Sequence, residues 1–197
     1  MRLILASNNK NKLREFKQLV EGMDIELLSQ SEAGLHLDVE ETGTTFEENA
    51  YLKAKAVTDA LGCAAVADDS GLVVDALGGE PGVYSARYGP GHDASDADRY
   101  NYLLNKLGDE KNRSARFVCC ICCTMPDGTV LRSRGECEGE IMHGPKGDGG
   151  FGYDPVFYLP ERGKTYAELA AEEKNAISHR ARALQEFCRI YREEFER

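Results

Sequence analysis

The sequence contains 197 residues, with 34 acidic and 24 basic side chains, which gives a formal net charge of −10. Hydrophobic residues make up 42% and charged residues 29%, as in an ordinary globular domain with one buried core. The acidic balance argues against a general binder of nucleic-acid polymers or anionic membranes, because both need a basic face. A small anionic ligand is still possible, since local lysines, arginines and a metal ion can override the net field.

The apolar segments and the cysteines of the sequence together indicate the cellular compartment. No segment approaches the roughly 18 consecutive apolar residues of a membrane span, and residues 1–6 are too short for a signal peptide. Seven cysteines is an odd number, and their spacing does not match a disulfide framework. We therefore expect a cytoplasmic protein with reduced thiols.

The first half of the chain alternates between strand and helix patterns. Thr44 and Thr45 are each followed three residues later by a glutamate, which predicts overlapping capping boxes at a helix start. The apolar patterns predict strands at 2–6, 64–67 and 72–75 and a helix at 12–20. A long helix is predicted to follow the capping boxes to Leu61 and to stop at Gly62. Residues 40–43 are polar and loop-like, and the strand at 64–67 is predicted to end at Asp68-Asp69-Ser70-Gly71.

The second half begins with a long glycine- and proline-containing loop at 77–92. A helix follows at 95–107, and Pro126-Asp127-Gly128 marks a hairpin between strands 116–125 and 129–140. After a second glycine-rich loop at 142–154, the patterns predict a strand at 155–159 and a helical tail from a capping box at Thr165 to about residue 194. The whole order predicts a single α/β domain over residues 1–197, with a mixed sheet flanked by helices.

The segment Ser7-Asn8-Asn9-Lys10-Asn11-Lys12 lies between the first strand and the first helix. Such a turn exposes backbone N–H groups and the positive end of a helix, and both favour a phosphate. The segment has neither the Walker P-loop pattern nor the dinucleotide-binding glycine pattern. An ordinary solvated turn before a helix explains the same residues equally well.

Four carboxylates form a second candidate feature: Glu40 and Glu41 in one loop, and Asp68 and Asp69 at a predicted strand end. Carboxylates at strand ends converge at the mouth of an α/β sheet, where ligands bind. Together with phosphate oxygens and water they make a Mg²⁺ site. The alternative is a local turn at Asp68-Asp69, in which Asp69 or Ser70 caps the backbone.

Three further motifs have weaker signals. Phe151 and Tyr153 stand among glycines at 149–154 and form either a stacking wall for a flat base or plugs in a tight turn. Ser178-His179-Arg180, with Lys174 one turn earlier, offers hydrogen-bond donors to a carbonyl or phosphate, or else a solvated helix face. Cys119-Cys120-Ile121-Cys122-Cys123 favours strand packing over zinc, because no partner pair at zinc spacing follows.

Five stretches carry a resemblance that spans nearly the whole chain. They are Ala6-Ser7-Asn8-Asn9 with Lys12, Glu40-Glu41-Thr42-Gly43 with Phe46, Ala67-Asp68-Asp69-Ser70-Gly71-Leu72 with Pro81-Gly82-Val83-Tyr84-Ser85-Ala86-Arg87, Gly150-Phe151-Gly152-Tyr153-Asp154-Pro155, and Glu172-Glu173-Lys174 with Ser178-His179-Arg180. In this order they resemble the inosine triphosphate pyrophosphatase family, also called the xanthosine/deoxyinosine triphosphate pyrophosphatases.

The resemblance implies a cytosolic homodimer with a mixed sheet in two lobes and a central nucleotide-binding cleft. It implies Mg²⁺-dependent hydrolysis of aberrant purine nucleoside triphosphates (dITP, ITP and XTP) to the monophosphate and pyrophosphate. It assigns catalysis to Asp69 and metal binding to Asp69 and Glu40, with Glu41 as the alternative to Glu40. The substrate-binding residues that it implies are Ser7, Asn8, Asn9, Lys10, Asn11, Lys12, Ser70, Phe151, Gly152, Tyr153, Asp154, Lys174, His179 and Arg180.

One residue departs from the family pattern. Many relatives have glycine before the loop lysine, where this chain has Asn11. Because asparagine tolerates the left-handed conformation better than most residues, we expect the loop to keep its shape.

Two other functions fit parts of the pattern. The related septum-inhibition type of nucleotide pyrophosphatase would have a Ser-x-Ser-x-Arg-Arg opening loop, which residues 7–12 lack. A non-catalytic sensor of purine nucleotides would not need the acidic set. Measuring pyrophosphate release separates the sensor from either enzyme.

Overall fold

The computed structural model describes residues 2–91 and 93–195, except for the side chains of Asn11 and Leu19. Its seven strands form one sheet in the order β2-β1-β3-β4-β5-β6-β7. The strands are β1 (Arg2–Leu5), β2 (Glu26–Ser29), β3 (Ala64–Val74), β4 (Ser114–Thr124), β5 (Val130–Ile141), β6 (Phe157–Leu159) and β7 (Lys164–Thr165). The pairing of β1 with β2 and β3 is parallel, whereas β5-β6-β7 is antiparallel, so the predicted mixed sheet is confirmed.

Five α-helices accompany the sheet in the described part of the chain: α1 (Lys10–Leu19), α2 (Phe46–Leu61), α3 (Asp96–Leu107), α4 (Ala171–Ile177) and α5 (His179–Phe195). Short 3₁₀ helices cover Asp75–Leu77, Gly82–Arg87, Asp154–Val156 and Tyr166–Glu168. Within residues 2–91 and 93–195, no helix is long and apolar enough to cross a membrane.

Helix α2 begins and ends where its local sequence predicts. The Thr45 side chain accepts a hydrogen bond from the Glu48 N–H, and the Glu48 carboxylate reaches back to the Thr45 N–H. Gly62 ends the helix in the left-handed conformation with φ 62°. The second predicted box is wrong: Glu47 binds Arg134 instead, since one glutamate already satisfies the donors at this helix start.

The predicted break in the chain at Asp68–Gly71 is also wrong. Strand β3 runs without interruption for 11 residues, and both aspartates lie inside it. Parallel pairing with β1 ends at Leu5 and Val66, so the carboxylates follow directly on the carboxyl end of the paired region. The strand prevails over the turn propensity of these residues because Lys12 and Lys53 compensate the buried carboxylates.

The predicted C-terminal helix is divided into three pieces. The capping box at Thr165 opens only a 3₁₀ turn, and α4 ends at Ile177 because the next residue, Ser178, has an extended backbone with ψ 155°. The Ser178 hydroxyl then accepts a hydrogen bond from the Ala181 N–H at 3.2 Å, as a helix N-cap does. Lys174 and His179 therefore belong to different helices, and His179 stands at the first turn of α5.

Strands β2 and β7 were not predicted from the sequence. They have four and two residues, and their apolar pattern is too short to be recognised without the neighbouring strand. The hairpin of β4 and β5 and the helix α3, capped by Ser95 and Asp98, are confirmed.

The chain divides into two compact units, each with its own apolar cluster. The first unit comprises residues 1–69, 119–135 and 182–197, and the second comprises 70–118 and 136–181. In the first unit α5 contributes buried Leu184 and Phe187, and β4 contributes Cys119 and Cys123. All four cysteines of the β4 cluster are buried, which confirms strand packing. The division into two units tests neither the predicted single domain nor the predicted central cleft, and both stay predictions.

The capping geometry of α2 predicts the effect of a single substitution. Thr45→Ala removes the side-chain acceptor of the Glu48 N–H and should lower the free energy of unfolding by about 1 kcal/mol. Urea denaturation measures the change, with Thr42→Ala as the control because Thr42 is exposed in the preceding loop. An equal loss in both variants would contradict the assignment of the cap.

Candidate functional site

The N-terminal candidate segment is half loop and half helix. The Asn9 side chain accepts a hydrogen bond from the Lys12 N–H at 3.2 Å, so Asn9 caps α1 and the helix begins at Lys10. The Ser7 hydroxyl accepts from the Asn9 N–H at 3.1 Å and fixes the approach to the helix. Asn8 contacts the Ser31 hydroxyl, and the side chain of Asn11 lies outside the described part. Backbone N–H groups at the positive end of α1 thus lie beside two lysines.

Lys12 reaches from α1 to strand β3. Its ammonium group lies 2.8 Å from the Asp68 carboxylate, whose side chain is only 1% exposed. A buried carboxylate is costly unless it is paired with a cation. The pair therefore fixes α1 against β3 and holds a positive charge within one residue of Asp69.

Asp69 receives its contacts from helix α2. The Lys53 ammonium lies 3.2 Å from Asp69 Oδ1, and the Asn49 amide donates to Asp69 Oδ2 at 3.3 Å. The sequence analysis assigned no site role to Asn49 or Lys53. Their spacing of four residues, which puts both on one helix face, was the available signal.

Lys53 also connects Asp69 to the acidic loop before α2. Its ammonium group also donates a hydrogen bond to the Glu41 carboxylate at 2.6 Å. Glu41 is partly buried, whereas Glu40 is exposed. The structure therefore brings Glu41 and Asp69 to one positive charge and leaves the Glu40 side chain at the surface.

Gly43 explains how this loop lies so close to α2. The Gly43 N–H donates to the Asn49 side-chain oxygen at 2.8 Å, and a Cβ on residue 43 would come within 2.6 Å of that oxygen. Any larger residue would push the loop away from the helix. Glycine at this position thus holds Glu41 near Lys53.

Burial and charge act in opposite directions on this cluster. Desolvation raises the pKa of Asp69 above its usual value, although the adjacent Lys53 charge opposes the rise. Desolvation alone would lower the pKa of Lys53, but the charges of Asp69 and Asp68 and the hydrogen bond to Glu41 raise it overall. Lys53 therefore stays protonated, and Asp69 binds a proton more readily than an ordinary aspartate.

The donor set fits a magnesium ion. Within residues 2–91 and 93–195, no preformed cluster of three or more histidine, cysteine or acidic side chains surrounds a metal-sized space. Mg²⁺ needs only one or two carboxylates when waters and substrate phosphates complete its shell. Glu41 and Asp69 already converge on one cation, the Lys53 ammonium group, so two carboxylates are available at one point.

The second unit contains the aromatic loop at 149–154. The Asp154 carboxylate is 4% exposed and accepts a hydrogen bond from the Phe151 N–H at 2.9 Å. Gly150 has φ 73°, and a Cβ there would lie 2.0 Å from Asp154 Oδ2. The glycine thus allows the chain to close around a buried carboxylate, and the neighbouring Phe151 is 56% exposed.

Lys174 completes this arrangement from α4. Its ammonium group binds the Asp154 carboxylate and lies 4.8 Å from the centre of the Phe151 ring and 5.2 Å from that of Tyr166. Desolvation raises the pKa of Asp154, while the charge of Lys174 opposes the shift. The structure thus brings three of the predicted site residues into one contact group, together with Tyr166, which sequence reasoning missed.

His179 and Arg180 are buried rather than solvated, each about 8% exposed. The His179 ring stacks on Phe117, with ring centres 4.9 Å apart and an interplanar angle of 15°. Phe117 stacks in turn on Tyr166 at 5.5 Å. This layered set of rings orients His179, and nothing local in the sequence indicated Phe117.

Tyr153 is buried, as the alternative of an aromatic plug in a tight turn predicts. Its ring is only 4% exposed, and its hydroxyl donates to the Ser85 carbonyl at 2.7 Å. The Ser85 hydroxyl accepts from the Leu72 N–H at 2.9 Å, two residues after Ser70. Tyr153 thus ties the aromatic loop to the 3₁₀ helix Gly82–Arg87, and Ser70 lies in β3, partly buried.

A sequence model of the Ham1 family matches residues 3–190. The chain belongs to the Ham1 family. A relative from Nostoc sp., named dITP/XTP pyrophosphatase, is 52% identical over 182 residues, which cover 92% of this chain and 89% of that protein. A relative from Geobacillus kaustophilus with the same name is 51% identical over 184 residues, covering 92% and 90%.

Solved structures agree with this membership. The Staphylococcus aureus Ham1 protein has a TM-score of 0.93 at 46% identity and covers 98% of this chain and 100% of its own. A HAM1 protein from Coxiella burnetii has a TM-score of 0.94 at 43% identity, covering 98% and 99%. The α/β architecture with a mixed sheet is therefore that of the Ham1 family.

The electrostatics of the acidic cluster predict a measurable shift. Lys53→Met removes a positive charge and should raise the pKa of Asp69 further, as measured by ¹³C NMR titration of the carboxylates without divalent metal. Because the folded-state pKa lies above the unfolded value, stability falls as the pH rises through it, and more so in the variant. Lys53→Arg keeps the charge and serves as the control. An unchanged pKa in Lys53→Met would contradict the assigned coupling.

Proposed function

We propose that this protein hydrolyses aberrant purine nucleoside triphosphates, namely dITP, ITP and XTP, to the nucleoside monophosphate and pyrophosphate with Mg²⁺. The observation that carries the proposal is the joining of Glu41 and Asp69 through Lys53, one residue from the Lys12–Asp68 pair. Relatives about half identical over most of the chain, and named dITP/XTP pyrophosphatases, support it.

The first unit binds the triphosphate. Three groups supply positive potential: the N–H groups at the start of α1, the exposed Lys10, and Lys12. Ser7, Asn8 and Asn9 shape the entry to the helix, and Asn11 stays a predicted contact. These three groups create a local positive potential that attracts the triphosphate, although the net charge of the whole chain is −10.

The acidic cluster performs the chemistry. Glu41 and Asp69 would hold Mg²⁺, which when bound neutralises charge on the phosphate oxygens and the leaving pyrophosphate. An Asp69 oxygen takes the proton of the water that attacks the α-phosphorus. Without a metal, desolvation raises the pKa of Asp69, so its carboxylate is a stronger base than that of an exposed aspartate. Lys53 orients the Asp69 carboxylate and holds Glu41 beside it.

The second unit recognises the base. Phe151 offers an exposed ring face for stacking, and Gly152 offers a nearby backbone. Lys174, His179 and Arg180 supply hydrogen-bond donors, with Lys174 held by Asp154. Inosine, xanthosine and guanine carry an acceptor oxygen at position 6, whereas adenine carries a donor amino group. Rejection of guanine would rest on its 2-amino donor, which inosine and xanthosine lack. A site built for one of these groups rejects the other by a factor of order 10⁴.

A substrate panel tests the reaction directly. Purified protein with Mg²⁺ should release pyrophosphate from dITP and XTP far faster than from dATP or dGTP, as measured by a coupled pyrophosphate assay. Asp69→Asn should lower turnover about 10³-fold or more while the protein stays folded by circular dichroism. Equal rates on all four nucleotides would contradict the base selectivity, and no release from any of them would favour a non-catalytic sensor.

A pair of variants decides which glutamate serves the metal. Glu41→Gln should raise the Mg²⁺ concentration for half-maximal activity about tenfold or more, because Glu41 and Asp69 share one cation. Glu40→Gln is the matched control, since its side chain is exposed in the same loop and carries the same charge. If Glu40→Gln raised the required Mg²⁺ concentration more than Glu41→Gln did, Glu40 would be the metal ligand, as the family resemblance implies.

We also propose that the protein is a homodimer in the cytoplasm. Tyr84 is 56% exposed in the 3₁₀ helix Gly82–Arg87, and the Arg87 guanidinium lies 5.1 Å from its ring centre. An exposed tyrosine with a neighbouring arginine is typical of the residues that dominate protein interfaces. The chemistry proposed for Glu41 and Asp69 depends neither on the dimer nor on the compartment.

A further inference from the structure

The aromatic loop at 149–154 has a conformation that needs external support. Gly150 and Gly152 have φ of 73° and 61°, so two of its residues adopt the left-handed region. Such glycines lose much conformational freedom on folding, and the loop is glycine-rich on both sides of Phe151. The direction of the exposed Phe151 ring therefore depends on the contacts that hold the flanking backbone.

Two carboxylates provide those contacts, one at the N–H of Phe151 and one at the N–H of Gly152. The first is Asp154, which accepts from the Phe151 N–H at 2.9 Å. The second is Asp96, whose Oδ2 accepts from the Gly152 N–H at 2.7 Å across 56 residues of sequence. Hydrogen bonds to an ionised acceptor are about twice as strong as neutral ones.

Asp96 is itself held in place by its helix. It is the first residue of α3, whose start is closed by the reciprocal bonds of Ser95 and Asp98. Its other oxygen, Oδ1, accepts from the Arg99 guanidinium at 2.8 Å, three residues along the same helix. The carboxylate thus presents Oδ2 to Gly152 from a rigid support, and the positive end of the helix stabilises its charge.

We propose that Asp96 is a positioning residue for base binding. Its carboxylate fixes the Gly152 backbone and thereby the ring of Phe151, against which the purine base stacks. This inference rests on the proposed function, because it assigns the aromatic loop to the base. Asp96 touches no reacting atom, so its loss weakens binding of the base in the ground state and the transition state alike.

Asp96→Ala tests the proposal. We expect KM for dITP to rise about tenfold with kcat within about twofold of wild type, which is the pattern of lost uniform binding. Amide hydrogen exchange at residues 150–153 should also accelerate, because the bond to Gly152 is gone. Asp96→Asn keeps an acceptor oxygen without the charge, so its KM should lie between those of wild type and Asp96→Ala.

Asp98→Ala is the matched control. It also removes one carboxylate from the first turn of α3, but that carboxylate bonds Ser95 and not the aromatic loop. It should lower stability and leave KM unchanged. A wild-type KM in Asp96→Ala, or an equal rise in Asp98→Ala, would overturn the positioning role while the proposed function stands. Absence of pyrophosphate release from the wild-type protein would instead overturn both.

Discussion

The architecture of the first unit depends on two adjacent carboxylates buried in the middle of strand β3. Ionised groups with so little exposure are strongly destabilising unless cations and hydrogen bonds compensate them. Lys12 from α1 compensates Asp68, and Lys53 with Asn49 from α2 compensates Asp69. Because both helices must present these side chains to one strand, the helix starts, the glycine at position 43 and the acidic loop all have constrained positions.

The second unit also contains a buried aspartate that is paired with a lysine, but this pair positions a loop. Asp154 is buried and compensated by Lys174, and the same lysine lies over the faces of two aromatic rings. In the first unit the paired charges lie at the residues that we propose to bind phosphate and metal. In the second unit the paired charges fix a glycine-rich loop and leave one ring exposed, which favours a flat, polar ligand such as a purine base.

Part of this site followed from the sequence. The family resemblance suggested Asp69, Lys12, Phe151, Lys174 and His179, and the structure places Asp69 and Lys12 on adjoining elements of one cluster. Lys53, Asn49, Phe117 and Asp96 were not found, because each acts through a partner that is 16 or more residues away in the chain. Periodicity and spacing report local geometry, and they carry no information about which distant side chains meet.

The sequence by itself determined the features that rest on local physics. These include the α/β class, the hairpin, the start and end of α2 and the cap of α3, since backbone donors, turn residues and apolar periods settle them within a few positions. Only the tertiary structure decided that Asp68–Gly71 continues a strand and that Ser178 divides the tail into two helices. In the first case, long-range ion pairs outweigh turn propensity. In the second, a serine that caps α5 interrupts an apolar period that sequence alone reads as continuous.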